Sequence, residues 1–66
     1  MIEEYDHVKI KSSAITGIVV DISTVKGQTI FVVESDDKGV PGGYGSDDSW
    51  KLFDCSESEI EKIDGK

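Results

Sequence analysis

Residues 15–23 read ITGIVVDIS, a glycine followed by a run of apolar, mostly β-branched residues. β-branched side chains favour strands, and a glycine inside a strand indicates close approach of a neighbouring backbone. Strict alternation puts Ile18, Val20 and Ile22 on one face, whereas a β-bulge turns Val19 and Ile22 inward, as in strands that bend sharply. We favour the bulge, with Gly17 allowing the strand to lie close against its neighbour.

The chain on either side of this stretch shows period-two alternation, with turn signals recurring about every 8–12 residues, and little helical periodicity. We therefore expect a small all-β domain spanning residues 1–66. The expected strands are residues 6–11, 14–22, 29–34 and 50–54, and a short last strand or turn that brings in Ile60 and Ile63. Val8, Ile10, Phe31 and Val33 are expected in the core, together with Trp50 and either Leu52 or Phe53.

Turn residues separate these strands. Gly27 in TVKGQT is the expected residue of positive φ between the second and third strands. Residues 35–49, SDDKGVPGGYGSDDS, are rich in glycine and aspartate, so we expect an exposed loop there. Ser56 followed by Glu59 has the spacing of a capping box, which predicts one helical or 3₁₀ turn near the C-terminus.

The charge balance weighs against nucleic acid as a partner. The 66 residues carry fourteen carboxylates and seven lysines, for a net charge of −7, and arginine is absent. Lysine alone would have to follow a phosphate backbone against a repulsive field, without the paired hydrogen bonds that arginine offers. The one locally basic segment is residues 7–33, with Lys9, Lys11 and Lys26 against Asp21.

The N-terminus and the cysteine content favour a cytoplasmic protein. Residues 1–11, MIEEYDHVKIK, have acids where a signal peptide needs lysines, and no apolar run approaches the about 18 residues of a membrane span. Cys55 is the single cysteine, which excludes an intrachain disulfide, and no cysteine–histidine spacing resembles a zinc site. We expect a half-buried free thiol, no metal and no membrane contact.

Three segments together resemble the SH3-like group of small β-barrels, including the KOW-type barrels of ribosomal proteins and transcription elongation factors. They are HVKIKSSAITGIVVDI, TIFVVES and WKLFDCSESEIEKI, and they span most of the chain. Gly17, Val19 and Ile22 fit a G-x-V-x-x-I spacing similar to that of KOW motifs. The resemblance implies a five-stranded SH3-like barrel. The chain departs from the KOW pattern because Ser12, Ser13 and Ala14 stand where basic loop residues are expected.

Several residues are candidates for function. Tyr44, flanked by glycines, is either an exposed contact residue or part of a disordered loop. Trp50 belongs either to the core or, with two other aromatics, to a cage for a methylated ammonium. Asp36, Asp37, Asp47 and Asp48 bracket the loop, but their spacing does not match an EF-hand, so a solvated loop is the favoured interpretation. His7 is expected on the solvent face of the first strand.

These observations predict a non-enzymatic interaction module without a cofactor, because a domain this small offers no obvious deep pocket in which to shift a pKa. Its expected partner is another protein or a second copy of itself. Contact is expected through an edge strand or through the loop, with Tyr44, Trp50 and the four aspartates. The alternative is a KOW-like module that binds RNA or a ribonucleoprotein through Lys9, Lys11 and Lys26.

Overall fold

The computed structural model describes residues 2–63, and these form one antiparallel sheet of five strands with a single 3₁₀ turn and no α-helix. The elements are β1 His7–Ile10, β2 Thr16–Val25, β3 Gln28–Lys38, β4 Trp50–Cys55, the 3₁₀ turn Glu57–Glu59, and β5 Ile60–Lys62. The strand order is β4-β3-β2-β1-β5, so consecutive strands are neighbours until the chain returns to place β5 beside β1. Within residues 2–63, β4 and β5 are the two edges of the sheet and do not pair with each other. The all-β prediction is confirmed.

The core lies on one face of the sheet, and every strand contributes to it. Val8, Val19 and Val33 are fully buried at its centre. The other buried members are Ile2, Ile10, Phe31, Cys55 and Ile60. Because all five strands share one apolar cluster, the sheet curves around a single core. Cys55 is buried, and not half-buried as the sequence suggested.

The predicted bulge in β2 is confirmed. The β2–β3 register shifts between Val19 and Asp21, so Val19 lies opposite Val33 while Ile22 lies opposite Phe31. This extra residue puts Val19 and Ile22 on the same face of the sheet, as the G-x-V-x-x-I spacing predicted. Val19 is buried in the core, whereas Ile22 is 36% exposed. Gly17 lies so close to β3 that a Cβ there would be 2.2 Å from the Glu34 carbonyl oxygen.

The 3₁₀ turn and the β2–β3 turn also follow the sequence. Ser56 and Glu59 form the predicted capping box, in which the Ser56 amide donates to the Glu59 carboxylate at 2.8 Å. Gly27 has φ +80° and its neighbour Lys26 has φ +51°, the geometry of a two-residue hairpin turn.

The predicted boundary of the exposed loop was wrong. β3 continues to Lys38, so Asp36 and Asp37 belong to a strand and the loop between β3 and β4 begins at Gly39. Ser35 is buried, and its hydroxyl accepts the Lys51 amide at 3.0 Å and donates to the Asp37 carbonyl at 2.7 Å. This bridge to β4 keeps residues 35–38 extended, although their polar composition alone predicts a loop.

The predicted core position of Trp50 was also wrong. Phe53 and Cys55 lie opposite Val33 and Phe31 and face the core. Strand alternation then places Lys51 on the core face and Trp50 on the other. Lys51 is accordingly buried, whereas the Trp50 side chain is 50% exposed.

Candidate functional site

The glycine-rich loop folds back along the outer edge of β4. Tyr44 pairs with Leu52 in an isolated antiparallel bridge, with backbone hydrogen bonds of 2.8 and 3.0 Å in the two directions. At the base of the loop, the Gly39 amide donates to the Ser49 carbonyl at 3.0 Å. The loop therefore covers part of the open edge of β4.

Lys51 and two glycines hold this loop against the sheet. The Lys51 ammonium donates to the Gly42 carbonyl at 3.1 Å. Gly43 lies so close to β4 that a Cβ there would be 2.8 Å from the Leu52 carbonyl oxygen, and its φ is +71°. A side chain at Gly43 would both clash and strain the backbone. Close contact of the loop with β4 thus depends on glycine at this position.

Two aromatic side chains stand exposed on this ordered frame. Tyr44 is 61% exposed and Trp50 is 50% exposed. The Lys38 ammonium lies 4.5 Å from the centre of a Trp50 ring, within the range of a cation–π contact. We call Tyr44, Trp50 and Lys38 the aromatic surface. The sequence indicated its two aromatics but not Lys38, which was assigned to the loop.

The ring of Trp50 already holds a cation of its own chain, and this bears on the cage interpretation. A methylated ammonium would have to compete with Lys38 for that ring. Of the other aromatics, Phe31 is buried and Phe53 packs against the core. The exposed aromatic side chains are therefore better placed to contact a flat partner surface than to enclose a small cation.

The four predicted aspartates do not act as a group. Asp37 is exposed at the end of β3, and Asp47 and Asp48 are exposed in a turn that the Ser49 amide closes on the Ser46 carbonyl at 3.1 Å. Within residues 2–63, no three histidine, cysteine, aspartate or glutamate side chains are grouped closely enough to hold a metal ion. The three exposed aspartates, Asp37, Asp47 and Asp48, produce a negative potential beside the aromatic surface.

Asp36 differs from these three because strands β1 and β2 engage it. Its carboxylate accepts hydrogen bonds from His7 at 2.6 Å and from Thr16 at 2.7 Å. Burial raises the pKa of Asp36, but the two hydrogen bonds and the charge of His7 outweigh it and hold the pKa below its ordinary value of 3.8. Asp36 therefore ties three strands together, and His7 is turned toward this contact. Sequence spacing gave no signal of the pairing.

The three lysines of the RNA-binding hypothesis are not brought together. Lys9 lies opposite Thr16 at the start of β2, while Lys26 lies in the turn just beyond the end of β2. Lys26 lies ten residues after Thr16, about 30 Å along the strand at the usual rise. Lys9 also pairs with Glu61 on β5 at 3.4 Å, and the Lys11 backbone bonds to Glu59. No continuous basic patch results.

The chain matches no known protein family, no curated protein and no solved structure. Among residues 2–63, no helical segment could span a lipid bilayer.

Proposed function

We propose that the protein is a non-catalytic SH3-like barrel that binds another protein through its aromatic surface. The strand order β4-β3-β2-β1-β5, the bulge that follows Gly17, and the 3₁₀ turn before β5 support the barrel assignment. The observation that carries the binding proposal is the exposure of Tyr44 and Trp50 on a backbone held by hydrogen bonds.

An ordered frame matters because binding costs entropy. Aromatic side chains provide large contact areas with few rotatable bonds, and they are enriched among residues that dominate interface energies. A partner that binds this surface orders little additional backbone, since Tyr44 is already fixed to Leu52. A flexible loop of the same composition would lose part of its contact energy to ordering.

The charge around the aromatic surface indicates the kind of partner. Asp37, Asp47 and Asp48 are exposed near it, and the whole chain carries −7. A basic partner surface would gain in association rate, and the rate would fall with added salt. The same charge disfavours a second copy as the partner. The RNA-binding alternative, with Lys9, Lys11 and Lys26, has less support because these lysines lie apart.

Substitution of the two aromatics tests the proposal without disturbing the loop backbone. Tyr44→Ser and Trp50→Thr remove the rings and leave the backbone bonds of the loop unchanged. Tyr5→Asn is the matched control, because Tyr5 is also exposed, at 71%, and its φ of +73° suits asparagine. All three variants should unfold cooperatively in urea.

The assay is affinity capture from the native cell, followed by titration of the captured protein at two salt concentrations. We expect the Tyr44 and Trp50 variants to lose the captured partner and the Tyr5 variant to keep it. Equal capture by all variants would contradict binding at the aromatic surface. Binding that strengthens with salt would contradict a basic partner.

A further inference from the structure

A groove of about 360 Å³ lies far from the aromatic surface, at the other end of β3. Ile2 and Phe31 form its buried floor, and Ile22, 36% exposed, forms one wall. Phe31 and Lys38 pair with Cys55 and Trp50, which are five residues apart on β4, or about 17 Å. The apolar core therefore reaches solvent at this groove, and an apolar side chain entering it would cover Ile22.

Among residues 2–63, the charged side chains that line the groove are all acidic. They are Glu3 and Glu4 from the segment before β1, and Glu57 from the 3₁₀ turn. The ion pairs formed among residues 2–63 use other carboxylates. These three carboxylates beside an apolar surface produce a negative potential that lysine or arginine would complement.

One edge of β2 is open beside this groove. The β1–β2 ladder covers only Thr16–Ile18, and Val19 bonds to the segment just before β1. Beyond the bulge, β2 pairs with β3 alone among the described residues. Val25 and Gln28 flank the two-residue turn and form a hydrogen-bonded pair, and hydrogen-bonded pairs alternate with non-hydrogen-bonded pairs along an antiparallel ladder. The backbone N–H and C=O groups of Ile22 and Thr24 therefore point away from β3. Within residues 2–63, no other strand bonds to them.

We propose that a basic, extended segment of a partner protein adds to this edge of β2 as a further strand. Side chains alternate along an extended chain, so apolar residues on one side cover Ile22 and the groove. The lysine or arginine residues between them point to the other side of the added strand and attract the glutamates through long-range charge, which acts over a Debye length of about 8–10 Å. Backbone hydrogen bonds to Ile22 and Thr24 supply the remaining contact. A second copy of this chain is disfavoured, since each copy carries −7. This site is separate from the aromatic surface and does not depend on it.

The test uses a blocked peptide of alternating lysine and valine, acetyl-Lys-Val-Lys-Val-Lys-Val-Lys-amide, titrated into the ¹⁵N-labelled protein and followed by NMR. We expect saturable shifts of the Ile22 and Thr24 amides and slower hydrogen exchange at both. The triple variant Glu3→Gln, Glu4→Gln, Glu57→Gln should raise the peptide Kd at least tenfold. The matched control is Asp37→Asn, Asp47→Asn, Asp48→Asn, which removes the same charge elsewhere and should raise Kd less than threefold.

Two methylated peptides separate strand addition from simple charge attraction. N-methylation of the valines blocks the amides along one edge of the peptide, and N-methylation of the lysines blocks the other edge. Strand addition predicts that one of these peptides loses binding and the other keeps it. The proposal is overturned if both methylated peptides bind as well as the parent, or if the two triple variants weaken binding equally. Shifts confined to Tyr44 and Trp50 would also overturn it, while leaving the aromatic surface supported.

Discussion

Gly17→Ala tests whether the close approach of β2 and β3 decides the fold. A Cβ built on Gly17 would lie 2.2 Å from the Glu34 carbonyl oxygen and 2.8 Å from a Val33 methyl group. The nearest of these atoms belongs to the backbone, so no rotamer change relieves the contact. The two strands would have to separate by about 1 Å, because contacts under about 3 Å do not persist between packed atoms.

The expected cost is large for a domain of this size. Overpacking in a close-packed interior costs about 1–3 kcal/mol, and we expect about 3 kcal/mol here because the backbone must move. At about 0.05–0.15 kcal/mol per residue, the whole domain has a stability of about 3–10 kcal/mol. For a domain of this size, 3 kcal/mol corresponds to a fall in Tm of about 12–24 °C.

Gly27→Ala is the matched control for this prediction. Gly27 has φ +80°, and nothing lies within 4 Å of a Cβ placed there. Alanine at Gly27 therefore meets only the strain of the left-handed region, about 1–2 kcal/mol. Both variants are compared with the parent chain by urea and thermal unfolding, followed by far-ultraviolet circular dichroism. A cost at Gly17 equal to or below that at Gly27 would refute the close-approach argument.

Three further predictions follow from buried or hydrogen-bonded polar groups. Asp36→Asn should lower the unfolding free energy by about 1 kcal/mol near pH 6, a figure that allows for solvent screening of this partly exposed carboxylate, and by progressively less as the pH falls below 3.8. Folding lowers the pKa of this carboxyl, so its contribution is present above the ordinary value of 3.8 and is lost as the pH falls through the lowered one. A difference between parent and variant that does not change with pH in urea titrations would contradict this. Burial, with nearby carboxylates, raises the pKa of Cys55 above its ordinary value of 9.0, so the parent chain should lose stability relative to Cys55→Ala as the pH rises through 9. Iodoacetamide should modify the thiol of the folded chain at least about tenfold more slowly than that of the unfolded chain. Equal modification rates would contradict the burial of this thiol. Lys51→Met keeps the apolar stem but removes the bond to the Gly42 carbonyl, so the Tyr44 amide should exchange several-fold faster in native-state hydrogen exchange while the β1 amides do not change. Unchanged exchange at Tyr44 would show that the Lys51 bond does not contribute to holding the loop.

The parts of the fold that local sequence predicted are those in which neighbouring residues carry the information. Glycine and β-branched spacing around Gly17 predicted the bulge, and the Ser56–Glu59 spacing predicted the 3₁₀ turn. Both features are stabilised by contacts whose geometry a short motif largely determines. The bulge also has tertiary support, because it buries Val19 in the core while keeping Ile22 on the same face of the sheet.

The errors occurred where distant residues decide the conformation. Composition predicted a loop from Ser35 onward, but the Ser35 hydroxyl bonds to Lys51, sixteen residues away. Trp50 was expected in the core because it is large and apolar, yet the pairing of Phe53 with Val33 fixes the alternation of β4 and turns Trp50 outward. Residue type predicts how often a side chain is buried on average, whereas strand register determines whether a given side chain faces the core or solvent.

The acidic groove could not have been found from sequence spacing, because its charged residues come from two segments that are more than fifty residues apart. Glu3 and Glu4 reach it because the segment before β1 runs along β2, and Glu57 reaches it because the 3₁₀ turn follows the end of β4. The net charge of −7 is therefore not evenly distributed: part of it borders exposed aromatics at one end of β3, and part borders exposed apolar core at the other. A partner that is both basic and apolar fits either end, so the overall acidity of the chain cannot distinguish between them. Variants that neutralise the two sets of acids separately, with the same change in net charge, distinguish between the two ends.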